Sequence, residues 1–340
     1  MVSPPNRDWQ TIQRSLAGQS NQRCSAIETV RQLKRQGHPI AARTAASELV
    51  AGGMLSSRDL VVFSDQCRSL ADHADWQFYR RLAYQIEMSQ LGLTGQDLDD
   101  SVDYCLAGAG VSECSSSPPQ AYIRAVFDRY STRFDERLVG ELDYRGPSEV
   151  QRVLRTQVGN QIEGARLLDI GCGTGLAGPL FRSTASLIHG IDLSPQMIQV
   201  AQQRGVYDAL WVGEIVATLS CHREPYEIVL AIDVLVYFGD LVPFFAAVRN
   251  VMAPGAVLAV SVEKGTTGYQ LAGSRRYVHG LDYVRSAAAA SGMRFCHTES
   301  VSLRKEAGKE LEFEVILLTV AESVDAITQE RASVPGNGVN

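Results

Sequence analysis

The chain has 340 residues, which at roughly 150 residues per domain suggests about two domains and excludes a small, stapled scaffold. Apolar residues make up 45% and charged residues 21%, the make-up of a folded globular chain and not of a disordered one. The 32 Lys and Arg stand against 38 Asp and Glu, a formal charge of −6 without a long basic block, so a large polycationic surface for nucleic acid is not expected.

The segment Met1 to Gln10 is polar and carries Pro4 and Pro5, without an apolar stretch behind a basic start. No secretory signal is expected there, and the chain is expected to be cytoplasmic. The longest apolar runs, such as 256–260, fall far below the roughly 20 residues that span a bilayer, so no membrane partner is expected. Seven cysteines are scattered with no CxxC spacing, which reads as reduced thiols.

From Gln22 to about Leu93 the pattern is helical. Ile27, Val30 and Leu33 recur at three-residue steps, Gly37-His38-Pro39 punctuates, and Ala41 to Val50 resumes; helix, turn, helix follows. Leu60, Val61, Phe63, Cys67 and Leu70 mark another helical stretch, and Trp76, Phe78, Leu82, Ile86 and Met88 the next. Paired helices of this length fit a degenerate helical repeat, although no second copy of a fixed-period signature stands in the sequence.

Cys114 to Pro119 is small, polar and ends in two prolines, so it cannot continue a helix and marks a domain boundary. Ala121 to Leu142 then reads as one or two amphipathic helices with Tyr122, Phe127, Tyr130 and Phe134 on them. From Arg166 onward short apolar runs alternate with helices: Leu167-Leu168, Leu187-Ile188, Ile228 to Leu230, Ala256 to Val262 and Val315 to Val320. Such alternation means an α/β unit with a mainly parallel sheet. Ser194-Pro195 supplies a helix N-cap and first turn. The last stretch, from Ser323, is polar and reads as a tail.

The chemistry-bearing segment is RLLDIGCGTGLAG over 166–178, followed by GIDLSPQM over 190–197. A glycine loop between strand and helix lets backbone approach a ligand closely. Asp192, ending the second strand, stands where an acid accepts from ribose hydroxyls. Gly173, Gly175 and Gly178 also satisfy GxGxxG, the dinucleotide fingerprint. Asp169 argues against that cofactor, because a carboxylate before the loop repels a diphosphate and pairs with an ammonium. Adenosine plus an amino acid, without phosphate, is S-adenosylmethionine.

Residues 121–318 resemble class I S-adenosylmethionine-dependent methyltransferases, and within them the bacterial tetratricopeptide-repeat methyltransferase-like family. The matching segments are FDRYSTRFDE (127–136), LDIGCGTGL (168–176), GIDLSPQM (190–197), DVLVYFGD (233–240), SVE (261–263), RYVH (276–279) and LRKEAG (303–308). The resemblance implies a Rossmann-like seven-stranded methyltransferase sheet with helices on both faces, preceded by an all-α N-terminal domain. It implies methyl transfer to O, N or S of a small-molecule or peptide- or carrier-bound substrate, with S-adenosylhomocysteine as product. On it, Asp169, Gly171, Gly173 and Gly175 cradle the methionine half and Asp192 the ribose. Leu193, Met197, Glu214 and Ile215 take the adenine side, Asp233 and Val234 the methyl side, and Tyr130 belongs to a lid helix. Glu214 stands where an Asp is usual. Upstream of Ser117 the chain shows no repeat consensus.

Candidate catalytic residues are His279, Tyr237 and Glu263, His279 being the one whose ordinary pKa lies near neutrality; its competing role is a hydrogen bond within the fold. Arg276, Tyr277, Tyr283 and Arg304 are the candidate substrate contacts, and Arg276 or the Arg304-Lys305 pair suits an anionic group. The segment Asp233 to Tyr237 lacks the Asn/Asp-Pro-Pro-aromatic loop of many enzymes that methylate amide or base nitrogens. No Cys or Asp/His cluster has metal-ligand spacing, so no metal is expected. The expected organisation is a helical domain over 1–115 for dimerisation or substrate docking, linker and lid helices over 116–160, the cofactor-binding domain over 161–322, and a flexible tail over 323–340. A catalytically inactive scaffold of the same fold is the alternative.

Overall fold

The computed structural model describes residues 22–112, 116–136, 140, 143–306 and 308–320. The expectations for the first ten residues, for Cys114 and Ser115, for the end of the Ala121 to Leu142 stretch and for the 323–340 tail lie outside them. The chain divides into two units at 113/114, two residues before the boundary expected at 115/116. Residues 116–160 fall in the second unit.

In the first unit, α1 (Gln22–Arg35), α2 (Pro39–Ala51), α3 (Ser57–Ser69), α4 (His73–Gln90) and α5 (Gly95–Gly108) follow one another. Pro39 opens α2 at a position where its missing N–H is not needed. Ser56 and Asp59 form a reciprocal capping box on α3. Gln22 to Ser57 is 35 residues and Pro39 to His73 is 34, so two helical hairpins repeat at the period of a hairpin array. The buried seam is Ala42, Ala45, Ala46 and Leu49 against Leu60, Phe63, Trp76 and Tyr79, small residues facing large ones instead of a fixed consensus.

The second unit holds α6 (Gln120–Tyr130), α7 (Gly146–Val158), α8 (Gly178–Phe181), α9 (Pro195–Gln203), α10 (Ile215–Cys221), α11 (Val242–Arg249) and α12 (Leu281–Ala290). Its strands are β1 (Arg166–Ile170), β2 (Leu187–Asp192), β3 (Ala209–Val212), β4 (Tyr226–Ala231), β5 (Met252–Glu263), β6 (Tyr269–Leu271), β7 (Tyr277–His279), β8 (Met293–Glu306) and β9 (Lys309–Val320). Seven of them form one sheet in the order β3-β2-β1-β4-β5-β9-β8, and β6 pairs with β7. The first five run parallel and β9 and β8 antiparallel. This is the Rossmann-like methyltransferase sheet.

One face packs α10, α11 and α12 through Leu219, Phe244, Phe245, Val248 and Val284; the other packs α7 and α8 through Val150, Leu154 and Phe181. Strand order reverses between β1 and β4, where Asp169 pairs in register with Leu230. In an open α/β sheet that is the place where a ligand crevice forms. The sequence of β8 does not read as a strand, because polar and apolar residues mix along MRFCHTESVSLRKE; it is an edge strand with few fully buried positions. No helix among the described residues is long and apolar enough to cross a membrane.

Candidate active site

A cavity of about 500 Å³ opens at the carboxyl ends of β1, β2 and β4, within the range of small-molecule sites. Its floor is the turn after β1. Gly171 adopts φ +65°, and a Cβ there would come 2.2 Å from Val234 Cγ2, so both the backbone and the packing require glycine. Gly173 adopts φ +54° and donates its N–H to Asp192 Oδ2 at 2.9 Å. The other Asp192 oxygen accepts from Ser194 N at 2.9 Å. Burial nevertheless pushes the Asp192 carboxyl above its ordinary pKa.

Asp169 sits inside β1 and is buried. Burial lifts its pKa to about 7, against the opposing hydrogen bond from Tyr207 and with a contribution from the Asp192 charge. The Tyr207 ring also explains the later glycines. A Cβ at Gly175, Gly178 or Gly190 would lie 2.8, 2.7 or 3.1 Å from it. Gly175 and Gly178 make room for this side chain, whereas at Gly190 a Cβ meets Leu210 Cδ2 first, at 2.7 Å.

Across the cavity, α6 and the turn after it supply Ile123, Val126, Phe127, Tyr130, Arg133 and Phe134. Phe127 meets Phe134 and Tyr237 edge to face, with centroids 6.0 and 5.4 Å away. Polar contacts pin this wall at both ends. Ser194 Oγ donates to Asp128 Oδ1 at 2.5 Å, and Thr174 Oγ1 donates to Asp135 Oδ1 at 2.5 Å. Arg204 pairs with Asp135 and donates from Nε to the Thr174 carbonyl at 2.5 Å.

The third wall is charged. Asp233 holds the left-handed φ of +58°, an unusual conformation for a residue with a Cβ. Its N–H donates to Ser261 Oγ at 2.7 Å and its carboxylate pairs with Arg304. Arg276 pairs with Glu306 and with Glu263, the latter at 3.3 Å. Glu263 also lies 3.7 Å from Arg304. Lys305 is held by Asp143 at 3.0 Å.

Of the residues singled out from sequence, the cavity is lined by Tyr130, Asp169, Gly171, Gly173, Asp192, Leu193, Glu214, Ile215, Asp233, Val234, Tyr237, Arg276 and Arg304. Six others do not line it, and each has a local reason. His279 is buried, donating from Nε2 to the Phe238 carbonyl at 2.8 Å, and burial drops its pKa to about 4. It does not line the cavity. Glu263 faces the two guanidinium groups behind the wall. Gly175 packs on Tyr207 and Ala201, and Met197 is fully buried beneath Ser194. Tyr277 is buried against Tyr269. Tyr283 accepts from Leu241 N at 2.9 Å and donates to Asp240 at 3.0 Å.

Two of the lining residues act differently from expectation. Glu214 caps α10, its carboxylate accepting from Val216 N at 3.0 Å and Ala217 N at 2.6 Å. The Glu214 carboxylate is thus engaged by the helix start. Tyr237 is a phenol whose pKa burial raises to about 12, so near neutrality it is a hydrogen-bond donor and not a base. Tyr144, Thr174, Phe134 and Arg133 also line the cavity; Thr174 stands in the glycine segment and Phe134 on the aromatic stretch read from the sequence, whereas no spacing signal points to Tyr144 or Arg133.

Residues 168–258 match the family described as a methyltransferase domain, a stretch that runs from β1 into β5. A ubiquinone biosynthesis O-methyltransferase of Xylella fastidiosa is 28% identical over 158 residues, covering 42% of this chain and 64% of that protein. A ubiquinone biosynthesis O-methyltransferase of Cereibacter sphaeroides is 33% identical over 103 residues, covering 29% of this chain and 41% of that protein. The chain thus spans less than two thirds of these curated relatives. Among solved structures, the 1,6-didemethyltoxoflavin-N1-methyltransferase of Burkholderia thailandensis superimposes with a TM-score of 0.48 at 15% identity, over 62% of this chain and 94% of that one.

Proposed function

We propose that the second unit is a class I S-adenosylmethionine-dependent methyltransferase acting on O, N or S of a small molecule or a peptide- or carrier-bound group. The observation that carries the reading is the floor of the cavity. A glycine turn with φ of +65° and +54° is bracketed by two carboxylates, the buried Asp169 and the partly buried Asp192. Asp169 disfavours a diphosphate, and with Asp192 it suits a ligand with an ammonium at one end and a ribose at the other. The match of 168–258 to a methyltransferase domain supports the same reading.

Asp169 would hold the amino group, Asp192 the ribose, and Leu193, Glu214 and Ile215 the adenine end. When bound, this cofactor supplies a methyl group already activated on a sulfonium. The protein's part is then alignment and the exclusion of water, and alignment is worth on the order of 7 to 11 kcal/mol. Phe127, Phe134 and Tyr237 form the apolar wall that excludes water. Tyr237 donates a hydrogen bond, and the Arg276 and Arg304 guanidinium groups orient a polar acceptor. No histidine lines the cavity among the described residues, which favours acceptors that need no neutral-pH base or that surrender a proton to a carboxylate such as Glu306.

The test is thermal unfolding with S-adenosylmethionine, S-adenosylhomocysteine or NAD at about 100 times a plausible dissociation constant, where linkage gives about 2.7 kcal/mol. Stabilisation by the two adenosyl ligands and not by NAD is expected, with its loss in Asp192→Ala. Stabilisation by NAD alone overturns the reading. An acceptor panel scored by S-adenosylhomocysteine release then defines the substrate.

A further inference from the structure

A second cluster of ionisable side chains gathers around the first residue of β4, away from the carboxyl ends that build the cavity. His189 comes from β2, His222 directly follows α10, and Glu224 precedes β4. One ligand atom from each lies within 4.8 Å of the other two. The 32 residues between His189 and His222 hide the group from any reading of linear spacing; the parallel register and the return of α10 bring it together.

The cluster has the marks of a built site. His189 Nδ1 and His222 Nε2 each stand 2.7 Å from the Tyr226 hydroxyl, so the two rings aim at one point. Tyr226 is fully buried and His189 nearly so. Trp211 meets both imidazoles edge to face at 4.9 Å and fixes their planes. Arg166 Nη2 holds Glu224 Oε2 at 2.5 Å, and that same oxygen lies 3.8 Å from His189 Nδ1. The other acid near His189, Asp208, is engaged by Arg182 at 2.8 Å.

We propose that His189, His222 and Glu224 form a binding site for a borderline divalent metal ion of the zinc, nickel or copper class. Two imidazoles and one carboxylate are the donor set those ions prefer over calcium or magnesium. The Tyr226 oxygen or a water completes four-coordination. Tetrahedral ligands at zinc distances stand about 3.3 Å apart, so the set closes by roughly 1 Å. The Glu224 side chain, about half exposed, and the partly exposed His222 provide that movement. Arg166 and Trp211 orient the ligands from outside. Such an ion ties β2 to the segment entering β4 and stiffens the sheet.

The full chain without an affinity tag is titrated with nickel or copper while tryptophan fluorescence is followed, and zinc is measured by competition with a chromophoric chelator. One ion per chain is expected, with quenching that disappears in Trp211→Phe while the stoichiometry stays. His222→Ala and Glu224→Gln are each expected to weaken binding at least 10-fold, and Arg166→Ala about 10-fold, the scale of outer-shell losses. Glu224 is half exposed, so its variant separates lost binding from lost folding. Binding absent from the parent chain, or of equal affinity in His222→Ala and Glu224→Gln, overturns the proposal and leaves a tyrosine shared by two histidines.

Discussion

The Tyr207 hydroxyl donates to Asp169 Oδ2 at 2.6 Å and accepts from Gly178 N at 3.2 Å. One phenol therefore ties the acid before the glycine turn to the helix after it. Because the Asp169 pKa is raised to about 7, the folded chain carries a proton there that the unfolded chain has already lost above its ordinary value of 3.8. Stability from this group is present below pH 4 and lost as pH rises through 7. Asp169→Asn is expected to be more stable than the parent at about pH 8, by on the order of 3 kcal/mol, with the gap vanishing near pH 4. The same variant is expected to lose S-adenosylmethionine affinity. Urea unfolding and calorimetric titration at both pH values check the pair of outcomes; a variant destabilised at the higher pH contradicts them.

Gly171→Ala places a Cβ 2.2 Å from Val234 Cγ2 in a backbone of φ +65°. A left-handed alanine alone costs about 1 to 2 kcal/mol, and the overlap adds a similar amount. Val234→Ala in the same chain is expected to recover the overlap part and leave the backbone part. Equal stability of single and double variants would show that Val234 is not the obstacle.

Asp135→Asn cuts the pairing with Arg204 and weakens the hold on Thr174. The wall formed by α6 and its turn then opens more readily. Cofactor dissociation measured by stopped flow is expected to quicken about 2- to 5-fold, the range of a partly exposed ion pair. Added salt is expected to quicken release from the parent chain and to leave the variant nearly unchanged. Identical salt dependence in both chains sinks the idea.

His279 has its pKa lowered to about 4 by burial, so it is neutral in the folded chain and charges more easily once unfolded. Its contribution is complete above the ordinary value of 6.5 and is lost as pH falls towards 4, on the order of 3 kcal/mol. His279→Gln is expected to flatten that acid limb of the unfolding curve. Turnover near neutrality is expected to keep its pH profile. A variant whose profile loses a group near neutral pH would return His279 to the reaction.

Features set by neighbouring residues in the chain are readable from the sequence alone. Gly171, Gly173 and Asp192 announce themselves through one turn and the strand beside it, and the Gly37-His38-Pro39 break falls where α1 gives way to α2. Features set by distant packing are not. Gly175 and Gly178 look like ligand glycines in sequence, yet they answer to Tyr207, which arrives from the other side of α9. His279 looks like a base because its ordinary pKa suggests it, and only the fold shows it buried against the Phe238 carbonyl. The 34- to 35-residue hairpin period of the first unit survives without a consensus because helix packing needs only small residues opposite large ones.

The Tyr207 ring occupies space that Gly175 and Gly178 leave open. Its removal in Tyr207→Gly leaves a void the size and polarity of a phenol beneath the cofactor turn. Apolar voids of that size take up aromatic guests from solution, and this one offers the guest hydroxyl an acid to meet. Phenol itself becomes a chemical switch: the variant is expected to be idle until the missing ring is supplied from outside.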